Sequence, residues 1–263
     1  MKHIRSADNP QFKALRRLVQ SSRERSSAGR SVLDGPHLVT AYHEHVGVPE
    51  QLVVSSSGRT AAEVQALLAQ MPRMEPLELR DELFWRLSSV VTPTGIIAVV
   101  RTPRPGLVPR EIEACLMVEQ LQDPGNLGSI LRTAAAAGMT HVLLSKGSVH
   151  AWSPRVLRAA MGAHFLLRIH EEVDLLAAAR EFGGRIVATS QRRHRSLFEE
   201  DLSGRVALVF GNEGGGISRE LMAAAHAVVA IPMPGKVESL NVAAAAAVCL
   251  FERVRQLEAA SHG

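Results

Sequence analysis

The chain reads as an α/β protein in two parts, a small α/β layer followed by a larger domain built on a parallel sheet. Three observations predict this. Short aliphatic runs alternate with helical stretches along the whole length, as strand–helix units require. A break at 101–111, "RTPRPGLVPRE", holds three prolines and a glycine, which exclude a continuous helix or central strand there. Beyond the break the alternation becomes more regular, and its strand candidates are continuous Val/Ile/Leu runs, as expected for a sheet covered on both faces. The 263 residues suffice for one large or two modest domains. The expected division is 1–100, a linker at 101–110, and 111–263.

In the first part, 10–26 carries a basic helical pattern, followed by the strand-like "SVLDG". Pro36 opens a helix and "QLVVSS" reads as a strand. "TAAEVQALLAQ" and "DELFWRLSSV" read as helices, and "GIIAVV" closes the layer as a strand. In the second part the strand candidates are "CLMVEQL", "HVLLSK", "FLLRIH", "RIVATS", "VALVFG" and "AVVAIPM". Helices are expected at 127–137, 154–161, 174–182, 218–225 and 240–257. Ligands of such sheets bind beyond the strand C-termini, so the strand-exit loops are where chemistry is to be sought.

Composition narrows the function classes. Aromatics make up only 4% of the chain, so aliphatic side chains and alanine must build the core. The net charge of +4 is unevenly placed. Lys2, Arg5, Lys13, Arg16, Arg17, Arg23, Arg25 and Arg30 face only Asp8 and Glu24 in the first thirty residues, and "QRRHR" at 191–195 is a second basic run. Such clusters suit a polyanion, since each neutralised phosphate releases counterions, though a solvated basic face explains either run alone. Cys115 and Cys249 lie in apolar runs with no CxxC neighbour, which reads as buried free thiols in a reducing compartment. No secretory signal and no apolar run of membrane-spanning length is visible, so a cytoplasmic protein is expected. His43 and His45 lack partners at ligand spacing, so no metal is expected.

Three loops carry the chemistry. The first, "LQDPGNLGSILRTAAAAG", turns at Asp-Pro-Gly; Asn126 stands where a helix cap is expected, and Arg132 follows on the second turn. The second, "LVFGNEGGGIS", delivers Gly211, Asn212 and Glu213 before three glycines, whose backbone N–H groups can approach a ligand. It has neither P-loop nor G-x-G-x-x-G spacing, which disfavours a nucleotide-cofactor oxidoreductase. The third, "IPMPGKVESLNVAAAAAV", places Ser239 and Asn241 at the mouth of a helix that opens with five consecutive alanines, with Ser239 a natural cap. A helix so stripped of bulk can press against another chain segment almost backbone to backbone.

Together, in this order and at these spacings, the three loops resemble the three motifs of the SpoU/TrmH family of RNA ribose 2′-O-methyltransferases, within the SPOUT superfamily. The motif likeness runs from about Cys115 to the end. The first part, with "SADNPQFKALRRL" and "SVLDGPHLV", is similar to the family's substrate-binding domain of the ribosomal protein L30e fold. The resemblance implies a C-terminal trefoil knot, S-adenosylmethionine as cofactor and a homodimer. It implies methylation of a ribose 2′-hydroxyl in structured RNA, ribosomal RNA before transfer RNA, with no DNA or membrane partner. A non-catalytic knotted RNA-binding protein is the alternative. Carried over by position, Gly211, Ile231, Leu240 and Thr189 would hold the cofactor, and Arg132, Glu213, Ser239, Asn241 and Asn126 would form the catalytic set. Two positions depart from the family pattern: Met161 stands where serine is common, and Asp34 where glutamate is common.

Overall fold

The structure, a computed structural model, describes residues 2–88, 90–109, 111–190 and 195–261. Most of the basic run at 191–195 therefore lies outside the described residues. The chain forms two compact units: Met1–Pro103 with Trp152–Phe165, and Arg104–Ala151 with Leu166–Gly263.

The first unit contains strands β1 (Lys2–Ile4), β2 (Arg30–Asp34), β3 (Gln51–Ser55), β4 (Leu77–Leu79) and β5 (Ile96–Arg101). Its helices are α1 (Pro10–Gln20), α2 (Ser22–Ala28), α3 (Pro36–His45), α4 (Ala62–Gln70) and α5 (Asp81–Trp85). The sheet order is β1-β4-β3-β5-β2, with β2 and β3 both antiparallel to β5. The basic stretch expected as one helix is two. Asn9 caps α1 by accepting from the Gln11 N–H, Pro10 sets its first turn, and Phe12 and Leu15 are buried. Ser21 then leaves helical geometry and accepts from the Glu24 N–H to start α2. Arg25 is buried and donates to the carbonyls of Leu18 and Val19 at 2.8 and 2.9 Å, satisfying the exposed end of α1. It is thus a structural cation rather than part of a phosphate track. Arg16, Arg17 and Arg23 remain exposed, while Arg30 pairs with Glu50 at 2.7 Å.

Three strands escaped the sequence reading. β1 and β4 are three residues long, and a strand at Arg195–Ser196 in the second unit has two, too short for a periodicity to register. The helix expected over 81–90 stops at Trp85. Asp34 accepts from the Ser88 hydroxyl at 2.8 Å.

The second unit contains β6 (Ala114–Val118), α6 (Pro124–Ala136) and β7 (His141–Ser145). Helix α7 (Pro154–Ala160) follows in the chain but belongs to the first unit, where it packs on β2. Val156, Leu157 and Ala160 are its buried face, and Phe165 meets Tyr42 edge-on at 5.4 Å. That packing is why the strand expected at 165–170 begins only at Arg168. Met161 ends α7 in the left-handed conformation, 45% exposed. The second unit continues with β8 (Arg168–Val173), α8 (Leu175–Glu181), β9 (Arg185–Thr189), β10 (Arg195–Ser196), β11 (Val206–Phe210), α9 (Arg219–Ala223), β12 (Ala227–Ala230) and α10 (Val242–Ser261).

Seven strands form one sheet in the order β10-β12-β9-β11-β6-β7-β8, every pairing parallel. Every residue of β6 and β11 is buried, as a sheet covered on both faces demands. Cys115, Met117, Leu143, Ile186 and Val209 pack with Leu175, Ala179 and Leu221 from α8 and α9 on one face. Helix α10 packs on α6 and β11, with Ala246, Cys249 and Leu250 buried. The low bulk of the alanine segment thus serves its approach to α6. Cys115 and Cys249 are free and buried, and burial pushes both thiols up to about 12. Among the described residues no helix is long and apolar enough to cross a membrane.

Candidate active site

Strand order makes the site. From β6 the chain winds outward to β7 and β8, then returns to place β11 against the other side of β6. Such a switch point opens a crevice beyond the strand C-termini. The first loop leaves β6, the second leaves β11, and the third leaves β12, two strands from β11.

Local chemistry assigns the polar groups. Asp123 caps α6, its carboxylate accepting the Asn126 N–H at 2.7 Å, and Pro124 takes the first helical position. The cap expected at Asn126 therefore sits three residues earlier, because the Asp-Pro pair is the better helix start. Asn126 is left in the first turn with a free carboxamide. Its Nδ2 donates to Glu213 Oε1 at 3.0 Å, and its Oδ1 accepts from Asn241 Nδ2 at 2.9 Å. Asn241 in turn caps α10, accepting the N–H groups of Ala243 at 2.9 Å and Ala244 at 3.4 Å. That cap was expected at Ser239. One chain of hydrogen bonds thus runs from the α10 N-terminus through Asn241 and Asn126 to Glu213, joining all three loops.

Glu213 also accepts from the backbone N–H groups of Gln122 at 3.3 Å and Asp123 at 3.2 Å. Partial burial pushes its carboxyl up, but the donors from Asn126 and from the backbone of Glu213, Asp123 and Gln122 outweigh this and hold it below the usual glutamate value. It remains ionised at neutral pH.

The glycine loop works differently from expectation. Asn212 and Gly216 exchange both backbone hydrogen bonds, at 3.0 and 2.9 Å, closing the loop. The Asn212 side chain accepts from Gly214 and Gly215, both at 2.9 Å, so those N–H groups are already occupied. A Cβ on Gly211 would lie 2.1 Å from the Gly216 carbonyl carbon, so only glycine permits this closure. Asn212 Nδ2 reaches across to the Gln120 carbonyl at 2.8 Å.

Sheet register brings three of the expected cofactor residues to one edge. Thr189 ends β9, Gly211 follows β11, and Ile231 follows β12, on neighbouring strands. The Thr189 hydroxyl donates to the Val209 carbonyl at 3.0 Å and is spent on the sheet. Leu240, 37% exposed, lies on the third loop next to Asn241. Ile231 is half-buried. Gly211 thus supplies close-packed backbone, and half-buried Ile231 and exposed Leu240 leave aliphatic surface accessible.

Arg132 and Ser239 stand outside the hydrogen-bonded chain. Both are exposed, and neither side chain makes a hydrogen bond or ion pair among the described residues. Arg132 lies six residues beyond Asn126, about 120° around the helix from it. Sequence reasoning missed Asp123, Gln122 and Asn212, although the Asp-Pro cap signature and an asparagine just ahead of a glycine run signalled two of them. It also missed Gln120, a non-glycine residue with φ of +49° at the crevice mouth. Among the described residues no group of three His, Cys, Asp or Glu side chains is placed to hold a metal ion.

Known proteins resemble this chain over nearly its whole length. Residues 113–251 match the sequence profile of the SpoU rRNA Methylase family, and residues 9–98 match that of the MRM3-like substrate binding domain. An uncharacterized tRNA/rRNA methyltransferase of Synechocystis is 34% identical over 98% of this chain and 95% of its own. The 23S rRNA (guanosine(2553)-2′-O)-methyltransferase RlmP of Bacillus subtilis is 30% identical over 95% of this chain and 98% of its own. The crystal structure of an AdoMet-bound rRNA methyltransferase from Sinorhizobium meliloti superposes with a TM-score of 0.85 at 28% identity, covering 97% of this chain and 98% of that one.

Proposed function

The chain belongs to the SpoU rRNA methylase family, and from that premise we propose that the crevice beyond β6, β11 and β12 methylates a ribose 2′-hydroxyl of ribosomal RNA. The observation that carries the reading is the Asn241–Asn126–Glu213 chain, which ties the three distant loops together. S-adenosylmethionine, when bound, supplies a methyl group already activated on a sulfonium sulfur. Gly211, Ile231 and Leu240 would hold its adenosine, with the Thr189 methyl group lining the same cleft.

What remains for the protein is alignment and charge. A guanidinium stays protonated at any working pH, so Arg132 acts as an electrostatic clamp on the attacking oxygen and the neighbouring phosphate, not as a base. The hydroxyl proton leaves to solvent or to a shared acceptor. Ser239 offers its unpaired hydroxyl to the ribose, while Asn126, Asn241 and Glu213 fix the loops that present it. The target is RNA because DNA lacks the reacting hydroxyl. The exposed Arg16, Arg17 and Arg23 on α1 and α2 suit its phosphates.

The resemblance further supports a trefoil-knotted second unit, a cytoplasmic homodimer with the site near its interface, and ribosomal before transfer RNA as substrate. The experiment is methyl transfer from labelled cofactor onto ribosomal and transfer RNA from cells lacking the gene. Wild type is expected to label ribosomal RNA. Arg132→Ala is expected to lose at least about 10²-fold in rate with unchanged cofactor affinity and melting temperature, since its side chain has no partner to lose. Cofactor binding by wild type with no transfer to any RNA would overturn the reading in favour of a binding protein.

A further inference from the structure

Gln120 holds a conformation that only glycine, or occasionally asparagine, adopts readily, with φ of +49°. Three side chains keep its backbone there. Its N–H donates to Ser145 Oγ at 2.8 Å, and its carbonyl accepts from Asn212 Nδ2 at 2.8 Å and Gln122 Nε2 at 3.0 Å. Gln122 Nε2 is anchored in turn to the Gly147 carbonyl at 2.6 Å. The exits of β7 and β11 thus both brace one strained residue at the exit of β6. The Gln120 side chain is exposed, and its carboxamide has no hydrogen-bond partner among the described residues. It stands two residues from the Gln122 N–H that holds Glu213. Strain of this kind persists where the surroundings over-determine it, and it clusters at ligand contacts.

We propose that Gln120 is a specificity-determining residue whose carboxamide hydrogen-bonds the base of the nucleotide being methylated, an inference that rests on the RNA methyl-transfer reading. The chemistry selects the base over the backbone. A neutral, planar group with one acceptor and two donor hydrogens matches the mixed edge of a nucleobase, whereas phosphates favour Lys and Arg. RNA targets of this kind present splayed-out bases whose edges are free to be read.

The test compares wild type, Gln120→Gly and Gln120→Asn. Both replacements suit the left-handed backbone, so neither is expected to unfold the chain, and Gln120→Gly is expected to melt no lower than wild type. The probes are S-adenosylmethionine alone, for affinity, and ribosomal RNA from cells lacking the gene, for transfer. Once the methylated position is mapped, transcripts with each of the other bases there complete the set. Gln120→Gly should keep cofactor affinity within about twofold, lose about tenfold or more in kcat/KM, and lose about tenfold of its preference for the native base. Gln120→Asn should fall between. Gln120→Gly with wild-type kcat/KM and base preference overturns the inference and leaves the RNA methyl-transfer reading intact. So does a tenfold loss of cofactor affinity, which would make the residue a cofactor contact. Wild type that methylates no RNA overturns both.

Discussion

Replacing Asn126 with alanine separates the stability of the loop junction from its role in positioning. The substitution removes two hydrogen bonds, the donor to Glu213 and the acceptor for Asn241, and leaves the Asp123 cap of α6 intact because that bond uses the Asn126 backbone. A side-chain hydrogen bond contributes about 0.5–1.5 kcal/mol net, and solvent reaches both Glu213 and Asn241, so the pair sums to about 1 kcal/mol. Alanine is a good helix former, and no apolar contact is lost to add to this. In a chain of this size that is a fall in melting temperature of about 2–4 °C. The effect on rate is expected to be far larger. With the Asn241 tie gone, the third loop is free to shift against the first two, which Glu213 and Asn212 still join. Misplacing a reacting group by about 1 Å costs on the order of 10²-fold. Thermal melting followed by circular dichroism and single-turnover transfer of labelled methyl to ribosomal RNA measure the two effects. A rate within about threefold of wild type would refute the positioning role. A melting loss above roughly 10 °C would show that the junction supports the fold instead.

Gly211→Ala places a methyl group against the Gly216 carbonyl, forcing the second loop open. Calorimetric titration should show cofactor binding lost while far-ultraviolet circular dichroism stays native; retained affinity would remove Gly211 from the cofactor site. His141 and His170 stack at 5.7 Å in the second unit. Burial foremost, then their mutual charge and Arg168 for His141, and Arg168 for His170, hold both below the usual histidine pKa against a raising Gly106 carbonyl at His170. Because the folded values are depressed, their contribution is complete above about pH 6.5 and is lost as the pH falls through the folded values. Urea midpoints at pH 7.5 and 5.5 should fall for wild type and fall less for the double replacement of both by glutamine; equal falls would exclude the pair.

The alternation of aliphatic runs and helical stretches was enough to find the large strands, because β6, β7, β9 and β11 are buried on both faces and leave unbroken apolar signatures. What it did not contain was neighbourhood. Nothing local to 154–165 says that Val156 and Leu157 are buried against β2, nor that a two-residue strand at Arg195 extends the sheet beyond β12. The site was legible in the same partial way. The three loops could be picked out by their glycines, prolines and polar couplets, but hydrogen-bond roles shifted by a few residues. Asp123 outcompetes Asn126 for the α6 cap, and Asn241 outcompetes Ser239 for that of α10. The direction of Arg132 depends on helix phase and on what else approaches α6, neither of which a motif spacing carries.

The strand order has a consequence for biosynthesis. β6 is made early in its unit, yet one of its two partners, β11, reaches it only after β7, β8, β9 and β10 have been translated, since the register joins Ala114 to Val206. Closing so long a loop in a parallel arrangement is entropically expensive and slow. The nascent unit must therefore hold an apolar edge open until late in translation, a window in which chaperone capture or misassembly competes with completion. C-terminal truncations that remove β11 and everything after it leave that edge open, and should accordingly yield aggregation-prone chains rather than weakened enzymes.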